Sequence, residues 1–220
     1  MIKWLPLLFL CLSSPLYSID TAIFDDSFRV ELVEKSSPLQ ELLALFSTRR
    51  CVESGFTEER YFAFRKEPVR LRGTLCYITG VGLSLLYEEG DSRLLIFKGT
   101  ELIRYAAADN ERSVYPVDAD HAYLESVMAF NLPALENDFN VYFQTEDDQW
   151  LLGLQRREKV VRGAKGKNIA VTSIVLQGKG SLLHTIAIRN ANGFERVIRM
   201  EGVSVMDSVS NTLKQRYFPE

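Results

Sequence analysis

The sequence predicts a mainly β protein in which a curled antiparallel sheet, or half-barrel, of about ten strands carries helices over its concave side. From Gly55 onward, apolar and polar residues alternate with the period of a strand, and short turns such as TGVG and EEGD separate the alternating runs. The alternation stops at PVDADHAYLESVMAFNLPALENDF, where the pattern becomes helical. Because strands twist, a sheet of about ten strands curls and acquires a concave side.

The first predicted element is a helix at 38–48. Ser37 and Gln40 fit a capping box, and Pro38 occupies the first helical position. The spacing of the apolar residues places one stripe of the helix toward the core, namely Leu39, Leu42, Leu43 and Phe46.

The strands follow in two groups, one on each side of a helical insert. The first group is predicted at 55–65, 69–79, 82–88, 92–98 and 101–106. In the insert, Asp118 or Asp120 can begin a helix with Leu124, Met128 and, as a further candidate, Val127 on its apolar face, and Pro133 ends it before a short second turn at Leu135. The second group comprises VYFQT, WLLGLQRR, NIAVTSIVLQ, LLHTIAIRN and FERVIRMEGVSV. The two helical segments can lie over the hollow of the sheet as a lid.

Length and composition indicate one globular domain, which we place at 19–220. The chain has 220 residues, of which 46% are hydrophobic and 25% charged, and its net charge is −3. Nucleic acids and anionic membrane surfaces both favour a dense basic patch. The mild acidity of the chain therefore argues against nucleic acid as its main partner.

Residues 1–18 have the pattern of a secretory signal peptide. A basic start at Lys3 precedes an apolar run from Trp4 to Leu12, and small residues stand before Ile19. The run is much shorter than the ~20 apolar residues that a membrane anchor needs. Lipidation at Cys11 is a further alternative, but the residue before it is Leu10 and not a small one. We expect export and cleavage after residue 18.

The segment PVRLRGTLCYITGVGLSLLY, at 68–87, raises the question of what covers its apolar face. One interpretation is that this face lines a cavity for an apolar ligand; the other is that the helix at 38–48 and the insert helix fill the hollow completely. The predicted cavity residues are Phe56, Leu75, Tyr77, Leu83, Leu85, Ile96, Leu124, Met128, Trp150, Leu152, Ile186, Ile198 and Met200.

Cys51 and Cys76 would remain after cleavage, and export would place them in an oxidising compartment where a disulfide is plausible. The expected register argues against it. A turn centred near Lys66 and Glu67 would place Cys76 opposite about Glu58. The sequence therefore leaves open whether Cys51 and Cys76 form a disulfide. The two cysteines and the two histidines are too far apart in the sequence to show the spacing of metal ligands.

The sequence contains no recognisable catalytic motif. A nucleophilic triad needs a histidine near a serine or cysteine and an acid, and only His121 and His184 are available. Adjacent carboxylates such as Glu58 and Glu59 point to opposite faces of a strand. Phosphate-binding and dinucleotide-binding glycine motifs are absent. We therefore expect neither an enzyme nor a cofactor.

Several local patterns, in their order and spacing, resemble the periplasmic lipoprotein carrier family LolA and its relatives. The matching pieces are SGFTEER at 54–60, RGTLCY at 72–77, LLIFKGTELIRY at 94–105, LPALENDFNVYF at 132–143, WLLGL at 150–154 and the closing segment at 173–205. The phrase RYFAFRKEPVRLRGTLCY is more similar to LolA-related proteins encoded with acyl-chain or polyene lipid export systems.

This resemblance implies a half-barrel whose lid helices cover a hydrophobic cavity for acyl chains. It further implies a monomer in the periplasm, lipoprotein or acyl-lipid cargo, an inner-membrane exporter as donor and an outer-membrane acceptor. Relatives that regulate envelope stress imply an alternative, namely a non-catalytic sensor or scaffold domain that binds a protein partner through the same hollow.

The sequence departs from the family at the residue that holds the lid. In typical lipoprotein carriers an arginine followed by proline bonds the backbone of the lid helix. The equivalent positions here are Thr79 and Gly80, and Leu83 or Leu85 replaces a following aromatic residue. This departure implies that the contact which holds the lid helix in those carriers is absent here or is replaced by a different one.

Overall fold

The alternating segments form one antiparallel sheet of twelve strands in the part of the chain that the structure describes. The structure is a computed structural model, and it describes residues 21–30, 37–89, 92–106, 108, 111–117, 123–157 and 171–219. The strands are β1 (Arg29–Val30), β2 (Cys51–Tyr61), β3 (Val69–Ile78), β4 (Gly82–Tyr87), β5 (Ser92–Lys98), β6 (Glu101–Ala106), β7 (Arg112–Pro116), β8 (Phe139–Glu146), β9 (Gln149–Arg156), β10 (Val171–Lys179), β11 (Leu182–Asn190) and β12 (Glu195–Met206).

The strand order makes the sheet an open, curled one and confirms the predicted half-barrel. Neighbours run in the order β1-β8-β9-β10-β11-β12-β2-β3-β4-β5-β6-β7, so that β1 and β7 are the two edges. Consecutive strands pair as hairpins within each group, and β12 pairs with β2 to join the two groups. Each predicted strand overlaps an observed one, although the strand predicted at 55–65 spans Cys51–Tyr61. The two that sequence alternation missed are the edge strands β1 and β7.

Four α-helices and two short 3-10 helices accompany the sheet in the described residues. The α-helices are α1 (Pro38–Ser47), α2 (Leu124–Met128), α3 (Leu132–Leu135) and α4 (Asn211–Tyr217), and the 3-10 helices span Thr21–Phe24 and Asp26–Phe28. None of the described helices combines the length and the apolar composition needed to cross a membrane.

The predicted start of α1 is confirmed, because the Ser37 side chain accepts a hydrogen bond from the Gln40 amide at 3.4 Å. The two predicted helical pieces of the insert are present as α2 and α3, but the boundary between them is not at Pro133. α2 ends at Met128, and Pro133 stands in the first turn of α3, where its missing amide hydrogen costs no helical hydrogen bond. The predicted signal peptide and the predicted caps Asp118 and Asp120 lie outside the described residues.

The two faces of the sheet are covered by different elements. The inner face is the one that packs on α1, α2 and α3, and it carries the largest cluster of buried apolar side chains. On the outer face, Tyr217 of α4 packs with Cys51, Cys76 and Ile78. The first 3-10 helix packs Ile23 on the other half of the outer face. Among the described helices, α1, α2 and α3 are the ones that cover the inner face.

The predicted register of the β2–β3 hairpin is wrong, and the correction brings the two cysteines together. Cys76 lies opposite Glu53, and Cys51 lies opposite Ile78, so the turn is centred earlier in the chain than the charged pair at 66–67. The two Sγ atoms are 3.9 Å apart. Both residues are buried free thiols in this structure.

Candidate functional site: the inner face and its lid

All the predicted cavity residues except Ile96 belong to one continuous cluster of buried side chains on the inner face. The cluster joins strands from both halves of the sheet to the three inner helices, and the predicted residues within it are Phe56, Leu75, Tyr77, Leu83, Leu85, Leu124, Met128, Trp150, Leu152, Ile186, Ile198 and Met200. Each of them has an exposed fraction of 7% or less. The helices therefore cover the apolar face of residues 68–87 in this structure.

Ile96 lies on the outer face, because its strand neighbours Leu95 and Phe97 belong to the inner cluster. It lines a cleft of about 760 Å³ beside α4, together with Lys98, Arg112 and Lys214. Residues 94–97 are all buried, so β5 is apolar on both faces. Alternation could not tell which face of such a strand points inward.

An aromatic contact joins the inner helices above the sheet. The rings of Phe46, from α1, and Phe130, between α2 and α3, stack with their centroids 3.5 Å apart. The Trp150 ring stands edge-on to both, with centroid distances of 5.8 Å and 5.7 Å. Phe130 adopts a φ of 49°, which is uncommon for a bulky residue. Phe130 lies in the turn that connects α2 with α3, and its ring points toward α1.

A groove of about 560 Å³ opens beside this contact, between α1 and the segment 129–133. We call it the lid groove. Its apolar lining consists of Leu43, Ala44, Phe46, Ala129, Phe130 and Pro133. Its polar lining consists of Gln40, Ser47, Arg49, Tyr77, Thr79 and Asn131. The groove is thus lined by equal numbers of apolar and polar residues.

Thr79, at the end of β3, is hydrogen-bonded to the segment that follows α1. Its hydroxyl donates a hydrogen bond to the carbonyl oxygen of Arg49 at 2.8 Å. Its amide donates another to the carbonyl oxygen of Arg50 at 3.0 Å. The end of β3 is therefore tied to the backbone of 49–50, on the floor of the lid groove.

Arg49 carries a buried charge into the lid groove. Its guanidinium carbon lies 3.5 Å from the centroid of the Phe46 ring, and only 9% of the residue is exposed. Its Nη2 atom is buried and has no hydrogen-bond partner among the described residues. Burial disfavours the charged form and lowers the pKa of Arg49 to about 10.

A second buried ionic group lies on the inner face, away from the lid groove. The Glu58 carboxylate accepts hydrogen bonds from Arg196 Nε at 2.6 Å and from the Tyr87 hydroxyl at 2.7 Å, and Arg60 completes an ion pair with it. Burial alone would raise the pKa of Glu58, but Arg196 and Arg60 outweigh it and lower the pKa to about 2. The sequence does not predict this group, because Glu58 stands out there only as the neighbour of a second carboxylate, Glu59.

Within the described residues, no group of three or more histidine, cysteine, aspartate or glutamate side chains is placed to hold a metal ion.

No protein-family model matches the chain. A search of curated proteins also finds no match.

Solved structures with a similar fold include a LolA superfamily protein from Nitrosomonas europaea, at 8% sequence identity and a TM-score of 0.45, covering 81% of this chain and 97% of that chain. A Vibrio parahaemolyticus domain assigned to outer membrane lipoprotein sorting matches at 10% identity and a TM-score of 0.44, covering 79% of this chain and 93% of that one. A chain of the Pseudomonas aeruginosa MucA/MucB complex matches at 12% identity and a TM-score of 0.44, covering 79% of this chain and 58% of that one.

Proposed function

We propose that this protein is a periplasmic carrier that shields the acyl chains of a lipid or lipoprotein on the inner face of its half-barrel. The observation that carries the proposal is the apolar inner face beneath short helices, with the lid groove opening at their seam. Donor and acceptor are proposed to be an inner-membrane exporter and an outer-membrane protein, with the carrier acting as a monomer and without catalysis.

The chemical need for shielding follows from the hydrophobic effect. An exposed methylene costs about 0.8 kcal/mol in water, so a chain of ~14 methylenes costs roughly 11 kcal/mol. A lipid therefore crosses an aqueous compartment at a useful rate only inside an apolar site. On this protein such a site requires the α2–α3 segment to move, because Leu124, Val127 and Met128 of α2 are buried against the inner face.

Export is part of the proposal, with residues 1–18 as the signal peptide. The basic start and the short apolar run support it. N-terminal sequencing of the protein from an envelope fraction should begin at residue 19. Retention of Met1, or acylation at Cys11, contradicts this part of the proposal.

Native mass spectrometry of the protein purified from its own host tests the carrier function most directly. We expect a fraction of the protein to carry lipid that is released on collisional activation. Protein that is free of lipid, and that also takes up none from vesicles, contradicts the carrier.

One observation favours a second function. The helices cover the inner residues almost completely, and a filled hollow is what a sensor or scaffold domain would have if it bound a protein partner through the same region. A stoichiometric protein partner in the same native mass spectra, without lipid, is the result expected for that alternative.

A further inference from the structure

We propose that Arg49 binds the carboxylate at the end of an acyl chain that lies in the lid groove. This inference rests on the proposed carrier function and assigns to it a class of ligand, an acyl chain ending in an acid.

One nitrogen of the Arg49 guanidinium has no acceptor among the described residues. Its Nη2 atom is buried and unbonded among the described residues, although 91% of the residue is removed from solvent. A buried charge without a counter-ion or hydrogen bonds is destabilising, and protein interiors rarely keep one. An anion from outside the chain would supply both the charge and the acceptor that the side chain lacks.

The guanidinium is held in place by its surroundings. The side chain stacks on the ring of Phe46, and Thr79 fixes the Arg49 carbonyl oxygen at 2.8 Å from its hydroxyl. A planar guanidinium in a fixed position loses little entropy when it pairs with the two oxygens of a carboxylate. The arrangement therefore favours a planar oxyanion.

The apolar half of the lid groove is suited to an apolar chain attached to that oxyanion. Leu43, Ala44 and Phe46 of α1 face Ala129, Phe130 and Pro133 across it. Its volume of about 560 Å³ lies within the range of ~300–1,000 Å³ for small-molecule sites. Phe130 also belongs to the inner cluster, so the groove borders the proposed acyl site.

Isothermal titration calorimetry of the full chain with decanoate, 1-decanol and acetate tests the site. Wild type should bind decanoate at least about tenfold more tightly than decanol, because hydrogen bonds to charged groups contribute ~1.5–3 kcal/mol and tenfold corresponds to ~1.4 kcal/mol. Acetate alone should give no measurable heat. Arg49→Met should abolish the preference for decanoate and leave decanol binding unchanged within about twofold.

Two further variants separate the site from general effects of charge and folding. Arg50→Met removes a neighbouring charge that is exposed, and it should bind decanoate like wild type. Arg49→Lys keeps the charge without the planar fork and should retain part of the preference. Arg49→Met removes a charge whose Nη2 atom is buried without an acceptor among the described residues, and the methionine can keep the packing on Phe46, so its thermal midpoint should equal or exceed that of wild type.

Each contrary outcome has a distinct meaning. If decanol and decanoate bind equally, or Arg49→Met keeps the preference, the Arg49 site is wrong while the carrier stands. If acetate binds as tightly as decanoate, the site takes a free anion and the acyl assignment is wrong. If wild type binds neither decanoate nor decanol, this inference is overturned; whether the carrier function also fails is decided separately by the native mass spectra.

Discussion

Arg196 Nε lies 2.6 Å from a carboxylate oxygen of Glu58, and both side chains are buried on the inner face, among the apolar residues of the half-barrel. The pair connects β12 with β2, the two strands that join the first and second halves of the sheet. Tyr87 and Arg60 satisfy further positions around the carboxylate. A network of this kind specifies one register between the two halves, because a slip would leave two buried charges apart.

Removing the carboxylate should therefore destabilise the fold. Glu58→Gln leaves the buried Arg196 without its counter-ion, and we expect the free energy of unfolding to fall by about 3–5 kcal/mol. Urea denaturation followed by circular dichroism measures this. Glu201→Gln, at an exposed position of β12, is the matched control and should change stability by less than ~0.5 kcal/mol. Equal stability of Glu58→Gln and wild type contradicts the network.

The same carboxylate predicts a loss of stability in acid. The pKa of Glu58 is about 2 in the folded protein and near 4.5 when the side chain is unperturbed, so the unfolded chain takes up the proton first as the pH falls. The ion pairs of Glu58 stabilise the fold fully above about pH 5, and this stabilisation is lost as the pH falls toward 2. At ~1.4 kcal/mol for each unit by which the pKa is lowered, the free energy of unfolding should fall by about 3 kcal/mol in total. Denaturation at a series of pH values should show this slope in wild type and a flatter one in Glu58→Gln.

Much of the fold could be predicted because apolar and polar residues alternate along most strands and because Ser37, Pro38 and Gln40 mark the start of α1. β1, with 2 residues, is too short to show a period. α4, with 7 residues, owes its place to the packing of Tyr217 on the outer face, which no local pattern indicates.

The candidate site was predictable only in its apolar part. Alternation assigned the inner residues of β3 and β4, but it failed at Ile96, because β5 is apolar on both faces. The lid groove depends on two segments far apart in the sequence, and the burial of Arg49 depends on Phe46 beneath it. In the sequence, an arginine that follows a helix looks the same whether its side chain is buried or exposed to solvent.

The covering of the cysteine pair by α4 gives a prediction about thiol reactivity. Cys51, Cys76 and Tyr217 are all fully buried, and contact with Cys51 together with burial raises the pKa of Cys76. In a chain carrying Cys11→Ser, Ellman's reagent should react with neither thiol in the native protein and with both in denaturant. Zero thiols in denaturant would instead indicate a disulfide.

Tyr217→Ala should open this covering. The variant leaves a cavity and removes a hydrogen bond to the Glu53 carboxylate of 2.7 Å, so we expect a loss of about 3–5 kcal/mol in stability and faster reaction of both thiols. Lys214→Ala, on the exposed side of α4, should leave the reaction rate unchanged. Equal rates in the two variants would show that α4 does not shield the pair.

Amide hydrogen exchange should identify the α2–α3 segment as the movable part of the inner face. α2 spans 5 residues, whereas β12 is hydrogen-bonded on both sides, to β11 and β2. Amides at 127–131 should exchange at least about a hundredfold faster than those at 196–200, which corresponds to ~2.7 kcal/mol less for local opening. Strong and equal protection in both segments would identify α2 as a fixed part of the core and would favour the partner-binding alternative.

Charge substitutions on the inner face test whether its apolar residues serve an acyl cargo. Leu85→Asp in β4 and Met128→Asp in α2 each place a carboxylate where an acyl chain would lie, and an unpaired carboxylate in an apolar site costs several kcal/mol or stays protonated. We expect each variant to bind a fluorescent fatty acid at least about tenfold more weakly than wild type, for ~1.4 kcal/mol lost.

The control for these variants is Leu45→Asp, the same change at a residue of α1 with 52% exposure. It should bind like wild type and melt at the same temperature. Because Leu85 and Met128 are 1% and 6% exposed, their substitution also strains the fold, and thermal melts must accompany each titration. If both variants melt far below wild type while wild type takes up no fatty acid, the inner face is a closed core and the carrier function is wrong. If they stay folded and lose only the ligand, the apolar face of residues 68–87 is there for cargo.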